Sequence, residues 1–583
     1  MDSAQRTRLS ALLERTAVFR VLDAPARDAV LAACTLMPLA GGETLFAAGD
    51  ASDALYVLVA GSLGAFDPAR GTMRERLAGV IVPGETIGEL GLITDRPRTT
   101  TVRALRDCTL LRLPRDGFMG LVDAHPQAIL AAARAAVEHL FERREGEALG
   151  VPRTLALLPC DAGIDVRGCG ERLCHALLPY GDALVIDAAL GRGRDATWFS
   201  ERERDYSFVL YVADGGTPTW RELCLRQADA LLLLADVATA PPAVWPDAHA
   251  RADVGARHRP RHLLLLHTDG HLRAGAAAAW RTAFADPLPH HHLRDRHDLN
   301  RLARLLAGRA IGLVCSGGGA RGFAHIGVVR ALRELGIDID AVGGTSIGAI
   351  IAAGVACEWD DAALLERCRH AFVDGHPLAD WTLPLVALSH GRRTAHLLRQ
   401  AFGARAIEDL ALPYFCVSAN LTDGHAEVHR SGPLWLWLRA STAIPGLLPP
   451  VLHRGQVHAD GAVINNLPTD VMHAQGVGEV IAVDISADDA LHATIEEYAL
   501  PAPARVWRQH RRGERPGIAA ILLRAGMVNA EAASADRRAL ATHLLTPPLS
   551  EIGLLDWRRF QRAVDLGYRY TLETLGPAGA LSG

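Results

Sequence analysis

The spacing of hydrophobic and polar positions changes three times along the chain. Over residues 1–20, Leu9, Leu12, Leu13 and Val18 recur at helical intervals among arginines. From about 40 to 113 the apolar residues gather into short runs: Thr44–Ala47, Ala54–Val59, Ser62–Phe66, Arg76–Val80, Thr101–Ala104 and Thr109–Leu113. Glycine-containing breaks separate several of them, a pattern that predicts a small barrel or jelly roll. A helix is expected over 126–141, with Pro126 in its first turn and Ile129, Leu130, Ala133, Val137, Leu140 and Phe141 on one face. The charged stretch Glu142–Glu147 marks a boundary, so the first domain is expected over 1–145.

Residues 151–306 alternate apolar runs with amphipathic ones. Strands are expected at Leu155–Leu158, Ala183–Asp187, Phe208–Ala213, Ala230–Ala235 and His262–His267, which predicts a parallel sheet with crossover helices. No phosphate-binding signature follows the first strand, so this middle α/β domain carries no legible chemistry. His290–His292 reads as a loop, since three consecutive histidines on a regular element cannot all face one ion. The third region, 309–485, opens with the strand Ala310–Cys315 and continues through alternating strands and helices. Residues 486–583 read as a helical, arginine-rich C-terminal extension.

Composition narrows the chemistry. The chain has 583 residues, is 49% hydrophobic and 22% charged, and so has apolar material for several cores. Its formal charge of −5 argues against a nucleic-acid partner bound through phosphates. All 61 basic residues are arginine. That excludes a Walker lysine, a Schiff-base lysine and a Ser–Lys dyad together. The ten cysteines include no CxxC pair and fit no zinc pattern, so they read as buried thiols in a reducing compartment, with no metal expected. The first residues lack an apolar signal-peptide core, and the best apolar run, Val342–Cys357, is too short and glycine-rich to span a bilayer. A soluble cytoplasmic protein is expected, with peripheral membrane contact left open.

Two glycine clusters in the third region follow apolar strands. The second, Gly344-Thr345-Ser346-Ile347-Gly348, is a GxSxG element between a strand and a helix. Its glycines permit a sharp turn that projects Ser346 above the sheet, beside a helix N-terminus that favours negative charge. A packed glycine-rich turn is the alternative reading. The first cluster, Gly317-Gly318-Gly319-Ala320-Arg321-Gly322, lacks the spacing of a dinucleotide fingerprint and the ending of a Walker loop. It suits an oxyanion hole, in which glycine amides approach a tetrahedral oxyanion and Arg321 orients the loop or adds charge. No late histidine sits in a rigid, glycine-flanked setting. Asp460 does, in His458-Ala459-Asp460-Gly461-Ala462, although a plain turn also explains an Asp-Gly pair.

Together these residues resemble the patatin-like phospholipases over roughly 309–480. The blocks Ser418–Thr422 and Arg439–Gly446 are similar to that family as well. The resemblance implies a Ser–Asp dyad, with Ser346 the nucleophile and Asp460 the general base. It also implies an oxyanion loop of Gly317, Gly318 and Gly319 supported by Arg321, and an elbow flanked by Gly344 and Gly348. The expected reaction is hydrolysis of a lipid carboxylic ester through an acyl-enzyme, with no required cofactor. The run Pro433–Leu438 could line an acyl pocket or touch a bilayer, and a buried helix is the favoured alternative.

In the first domain, Ile87-Gly88-Glu89-Leu90-Gly91 continues to Arg96-Pro97-Arg98-Thr99-Thr100. Gly88 can open an anion-binding turn, Arg98 can pair with a phosphate and Glu89 can accept from a sugar hydroxyl. Taken alone, Glu89 and Arg98 would read as a surface ion pair. The whole string resembles the phosphate cassette of cyclic nucleotide-binding domains, which are β-rolls with flanking helices. The resemblance implies Glu89 on the ribose 2′-hydroxyl, Arg98 on the cyclic phosphate of cAMP or cGMP, and Thr99 and Thr100 near phosphate or base. Gly91, where alanine is common, departs from the pattern. The three-domain order resembles bacterial relatives of neuropathy target esterase. The expected protein is therefore a serine esterase acting on lysophospholipid or phospholipid, regulated by a cyclic nucleotide. The rival is a nucleotide-sensing interaction protein built on a catalytically idle patatin-like scaffold.

Overall fold

The computed structural model describes residues 3–67, 76–127, 130–131, 133–134, 151–194, 196–215, 217–246, 259–283, 288–486, 501–512, 521 and 534–576. Contacts divide the chain into two units: Met1–Thr268 with Phe284–Ala307, and Asp269–Ala283 with Gly308–Gly583.

The first unit opens with a β-roll. Its strands are β1 (Thr35–Leu39), β2 (Thr44–Phe46), β3 (Ala54–Ala60), β4 (Leu63–Asp67), β5 (Arg76–Ile81), β6 (Thr86–Ile87), β7 (Thr101–Ala104) and β8 (Cys108–Pro114). They form two antiparallel sheets ordered β1-β8-β3-β6 and β2-β7-β4-β5. The strand period of two sorts the side chains. Tyr56 and Leu58 of β3 and Leu110 of β8 enter the core of the roll. Leu55, Val57, Leu111 and Leu113 point the other way, onto Leu9, Leu13, Leu31 and Phe118 of the flanking helices. The helix expected over 126–141 falls largely outside the described residues, as does the boundary at Glu142–Glu147.

The same unit holds a parallel sheet of β9 (Thr154–Pro159), β10 (Ala183–Ile186), β11 (Phe208–Val212), β12 (Ala230–Asp236), β13 (Arg261–Leu266) and β14 (His290–Leu293). Its order is β10-β11-β9-β12-β13-β14. The loop reading of His290–His292 is corrected here, because these residues form edge strand β14, parallel to β13. The imidazoles pair across the two strands, His267 with His292 at 2.8 Å and His262 with His291 at 3.1 Å. Burial lowers the His262 pKa to about 4 and holds His291 well below its ordinary value, so both rings are neutral. Arg106, on the turn before β8, joins the roll to this sheet through Glu203 at 2.6 Å and Asp229 at 2.8 Å.

The second unit is built on β15 (Ile311–Cys315), β16 (Ala341–Thr345), β17 (Tyr414–Asn420), β18 (His425–His429), β19 (Val451–His453), β20 (Gln456–Asp460), β21 (Glu479–Val483) and β22 (His543–Leu545). The order is β19-β20-β17-β16-β15-β21-β22, with β18 also paired to β17. The segment expected as a helical extension thus also supplies a strand, β22, parallel to β21. It adds the helix Phe560–Leu575, which crosses the helix Ala324–Glu334 at a glycine contact. A side chain at Gly327 would collide with the Val564 carbonyl, and one at Gly567 with the Ala324 carbonyl. Phe323, Phe560 and Trp557 pack beside this crossing.

Candidate active site and nucleotide cassette

Sheet register brings Ser346 and Asp460 together. Parallel β16 pairs with β17 as far as Thr345 opposite Val417. Antiparallel β20 pairs with the next stretch of β17, placing Asp460 opposite Ser418. Strand β18 pairs with Cys416–Asn420, overlapping both, so β16 and β20 share the other edge and meet end to end. Ser346 follows β16 directly, in a backbone of φ 56° and ψ −126° that non-glycine residues adopt only when surroundings enforce it.

Those surroundings are visible. The Ser346 amide donates to Ser441 Oγ at 2.9 Å, and Ser441 donates to the Val417 carbonyl at 2.7 Å. Thr345 Oγ1 donates to the Asn465 carbonyl at 2.8 Å. Gly344 and Gly348 let the elbow lie against β15, since a side chain at either would strike the Cys315 carbonyl. Gly461 plays the same part for the Asp-Gly motif, against the Val417 carbonyl.

Ser346 Oγ donates to Asp460 Oδ2 at 2.7 Å, and among the described residues it bonds to no imidazole. The other carboxylate oxygen accepts from the Ala462 amide at 2.9 Å. Asp460 is buried, and burial pushes its pKa up to about 7, against the pull of these two hydrogen bonds. A carboxylate so placed is basic enough to take a proton from a serine hydroxyl.

The glycine loop needs one correction. The Gly317 amide does not face an open site, because it donates to Asn466 Oδ1 at 3.0 Å while Asn466 Nδ2 donates back to the Gly317 carbonyl at 3.3 Å. The Gly318 and Gly319 amides have no acceptor among the described residues, and Gly319 lines the same cavity as Ser346. Arg321 is buried and donates through Nε to the Ile552 carbonyl at 2.7 Å, so it braces the loop. The Ala320 amide joins the same segment at the Leu554 carbonyl, 2.8 Å away. Ser441, Asn466 and the segment Leu549–Leu555 escaped the sequence reading. Only Ser441, inside the block Arg439–Gly446, lay in a stretch already singled out.

An apolar cavity runs from Ser346. It offers about 70 Å³ to the centre of a water molecule and is walled by Ile350, Phe372, Leu398, Phe402, Leu448 and Trp557, among others. The run Pro433–Leu438 opens a partly buried helix, with Pro433 exposed and Trp435 and Leu436 half-buried. Leu434 and Leu438 are fully buried in the helix Leu434–Ser441, and Trp437 stacks on His429 at 3.8 Å.

In the β-roll, Gly88 has φ 91° and stands before the short helix Glu89–Thr94. A side chain there would collide with the Arg98 guanidinium. Arg98 is buried, donates to the carbonyls of Gly88 at 3.0 Å and Ala54 at 2.7 Å, and lies 4.2 Å over the Phe46 ring. Glu89 is buried beside it, within electrostatic reach, while Thr99 is exposed and Thr100 half-buried. The departure at Gly91 has a local cause. Ser52 Oγ occupies the space of a methyl group there as it donates to the Arg96 carbonyl at 2.8 Å.

Comparison with known proteins follows this division. Residues 36–125 match the cyclic nucleotide-binding domain, 152–306 the P-loop like domain of the neuropathy target esterase (NTE) family, and 313–473 the patatin-like phospholipase family. Patatin-like phospholipase domain-containing protein 6 of Homo sapiens is 29% identical over 92% of this chain, and lysophospholipase NTE1 of Pyricularia oryzae 30% identical over 92%. The chain spans 44% and 42% of the lengths of those two relatives. An NTE family protein of Mycobacterium bovis is 32% identical and matches end to end more fully, over 90% of this chain and 89% of its own length. With all three modules in one order and that relative matched nearly throughout, the chain belongs to the neuropathy target esterase family of patatin-like phospholipases.

Proposed function

We propose that the protein is a serine esterase that hydrolyses the carboxylic esters of lysophospholipids or phospholipids, and that a cyclic nucleotide in the β-roll regulates it. The observation that carries the reading is the 2.7 Å hydrogen bond from Ser346 Oγ to buried Asp460 at the end of an apolar cavity. Asp460 takes the Ser346 proton as Oγ attacks the ester carbonyl, and the oxyanion accepts from the Gly318 and Gly319 amides. Collapse expels the alcohol, which leaves with the proton from Asp460, and the acyl chain stays on Ser346 in the cavity. Asp460 then deprotonates a water that attacks the acyl-enzyme, and the released Ser346 oxygen recovers that proton. In the cassette, Arg98 would exchange its carbonyl partners for the cyclic phosphate and Glu89 would take the ribose hydroxyl.

The test compares wild type and Ser346→Ala on a lysophospholipid and a short-chain p-nitrophenyl ester, each with and without cAMP or cGMP. Hydrolysis by wild type that the substitution abolishes supports the reading, and equal hydrolysis by both proteins rejects it. Unchanged kcat and KM with either nucleotide at saturation rejects the regulatory part.

A further inference from the structure

The segment between the two walls of the acyl cavity carries an apolar surface that the reaction does not use. Trp381, Leu383, Leu385 and Val386 are 64%, 79%, 90% and 69% exposed. Nowhere else among the described residues do four large apolar side chains within six positions stand so far into solvent. No charged residue occurs from 381 to 389. Isolated exposed apolar residues are ordinary, but a cluster marks a surface that meets something apolar.

The loop is held in shape beneath its tip. His390 donates its amide to the Asp380 carbonyl at 2.8 Å and Thr382 to Leu388 at 2.9 Å, with Trp381 and Ser389 bridged between them. Asp380 is turned into the base, where it accepts from Ser389 Oγ and from the Arg393 amide. The returning strand is tied to the cavity wall through Leu388 to Gly446 at 2.9 Å and Ser389 to Leu447 at 3.0 Å. Buried Ala387 fills the base, so the tip is fixed outward instead of folding onto the body.

Both stems lead to the site. Pro377 and Leu378 before the loop, and Thr394, Leu397 and Leu398 after it, line the cavity that contains Ser346. Exposed Arg392 and Arg393 follow the tip, a cationic collar behind an apolar head. A lipid surface with anionic headgroups matches this order, with hydrocarbon contact at the tip, headgroup contact at the collar and a passage for the acyl chain between the stems.

We infer that Trp381–Val386 is an interfacial anchor that seats the cavity mouth on an anionic lipid surface. This inference rests on the esterase reading for its purpose and not for its test. The test measures co-sedimentation of the full chain with vesicles of phosphatidylcholine and phosphatidylglycerol, for wild type, Ser346→Ala and a triple variant carrying Leu383→Ser, Leu385→Ser and Val386→Ser. Wild type and Ser346→Ala should partition alike, and the triple variant should bind about 100-fold more weakly, as expected for three apolar side chains withdrawn from the interface. Its hydrolysis of a monomeric short-chain ester should match wild type, which also shows that it is folded. Equal partitioning of all three proteins would overturn the anchor. So would a wild type that ignores vesicles, or a wild-type dimer that the triple variant turns into a monomer, which would give the surface to a second copy. Vesicle binding without any hydrolysis would reject the esterase reading alone.

Discussion

Replacing Asp460 by Asn separates the cost of the general base from its chemistry. Asparagine keeps the shape and both hydrogen bonds, with Oδ1 accepting from the Ala462 amide and Nδ2 donating to Ser346 Oγ. What it removes is a negative charge in a fully buried position. The carboxyl pKa climbs from 3.8 to about 7 because burial penalises the ionised form. At about 1.4 kcal/mol per pKa unit, the folded state bears on the order of 4 kcal/mol when Asp460 is ionised. The folded pKa lies above the unfolded one, so this group's share of stability is full below the unfolded pKa and is lost as pH rises through the folded pKa. Near about pH 4 the wild type holds a neutral carboxyl and should match Asp460→Asn in stability. The gap should open between about pH 4 and 7 and stay open above, with the variant the more stable. For a unit of this size, 4 kcal/mol corresponds to a rise in melting temperature of up to about 10 °C. Thermal melts of both proteins across this pH range are the assay, and other titrating groups cancel in the difference. The same substitution should abolish ester hydrolysis. A gap that does not grow with pH, or a wild type more stable than the variant at high pH, would refute the account of a carboxylate held at a cost for catalysis.

Since Asp460 must be ionised to act, kcat/KM for a monomeric ester should fall about tenfold per pH unit below about pH 7 and level off above it. A pH–rate profile flat to pH 5 would contradict this. Arg321→Gln should lower kcat about tenfold with little change in KM, since it loosens the brace on the oxyanion loop without touching the acyl cavity. Steady-state kinetics in which KM alone rises would reject that role. Arg98→Gln should weaken cAMP or cGMP binding about 100-fold by titration calorimetry while leaving the melting of the catalytic unit unchanged. Gly327→Val should cost about 3 kcal/mol in denaturant unfolding, because its side chain meets the Val564 carbonyl.

The legible parts of the site share a physical origin. Ser346 and Asp460 could be read because one follows a strand and the other ends one, and each adjoins glycine that its tight turn requires, a local pattern within five residues. The roll was visible through short apolar runs such as Ala54–Val59 set between glycine-containing breaks, and the parallel sheet through the continuous apolar runs of buried strands. Strand β14 was hidden because three of its four positions are imidazoles, two of them paired with His262 and His267, not aliphatic groups. Asn466 was invisible because its partner Gly317 lies 149 residues away, and Leu549–Leu555 holds the glycine loop through main-chain carbonyls, which carry no side-chain signature. The helix Phe560–Leu575 has an amphipathic pattern that many surfaces could satisfy. Only Gly567, inside a helix where glycine is unfavourable, hints at the close crossing with Gly327. At Pro433–Leu438 and Trp381–Val386 the pattern alone cannot tell a core helix from a solvent-facing loop, and burial separates them.

The central claim is that Ser346 is a nucleophile activated by Asp460. Its most direct test is stoichiometric labelling with an alkyl fluorophosphonate, with the modified peptide located by mass spectrometry. The account predicts one label per chain, on Ser346, formed much more slowly in Asp460→Asn. A label on another residue, or continued hydrolysis by a chain whose Ser346 is blocked, would contradict it.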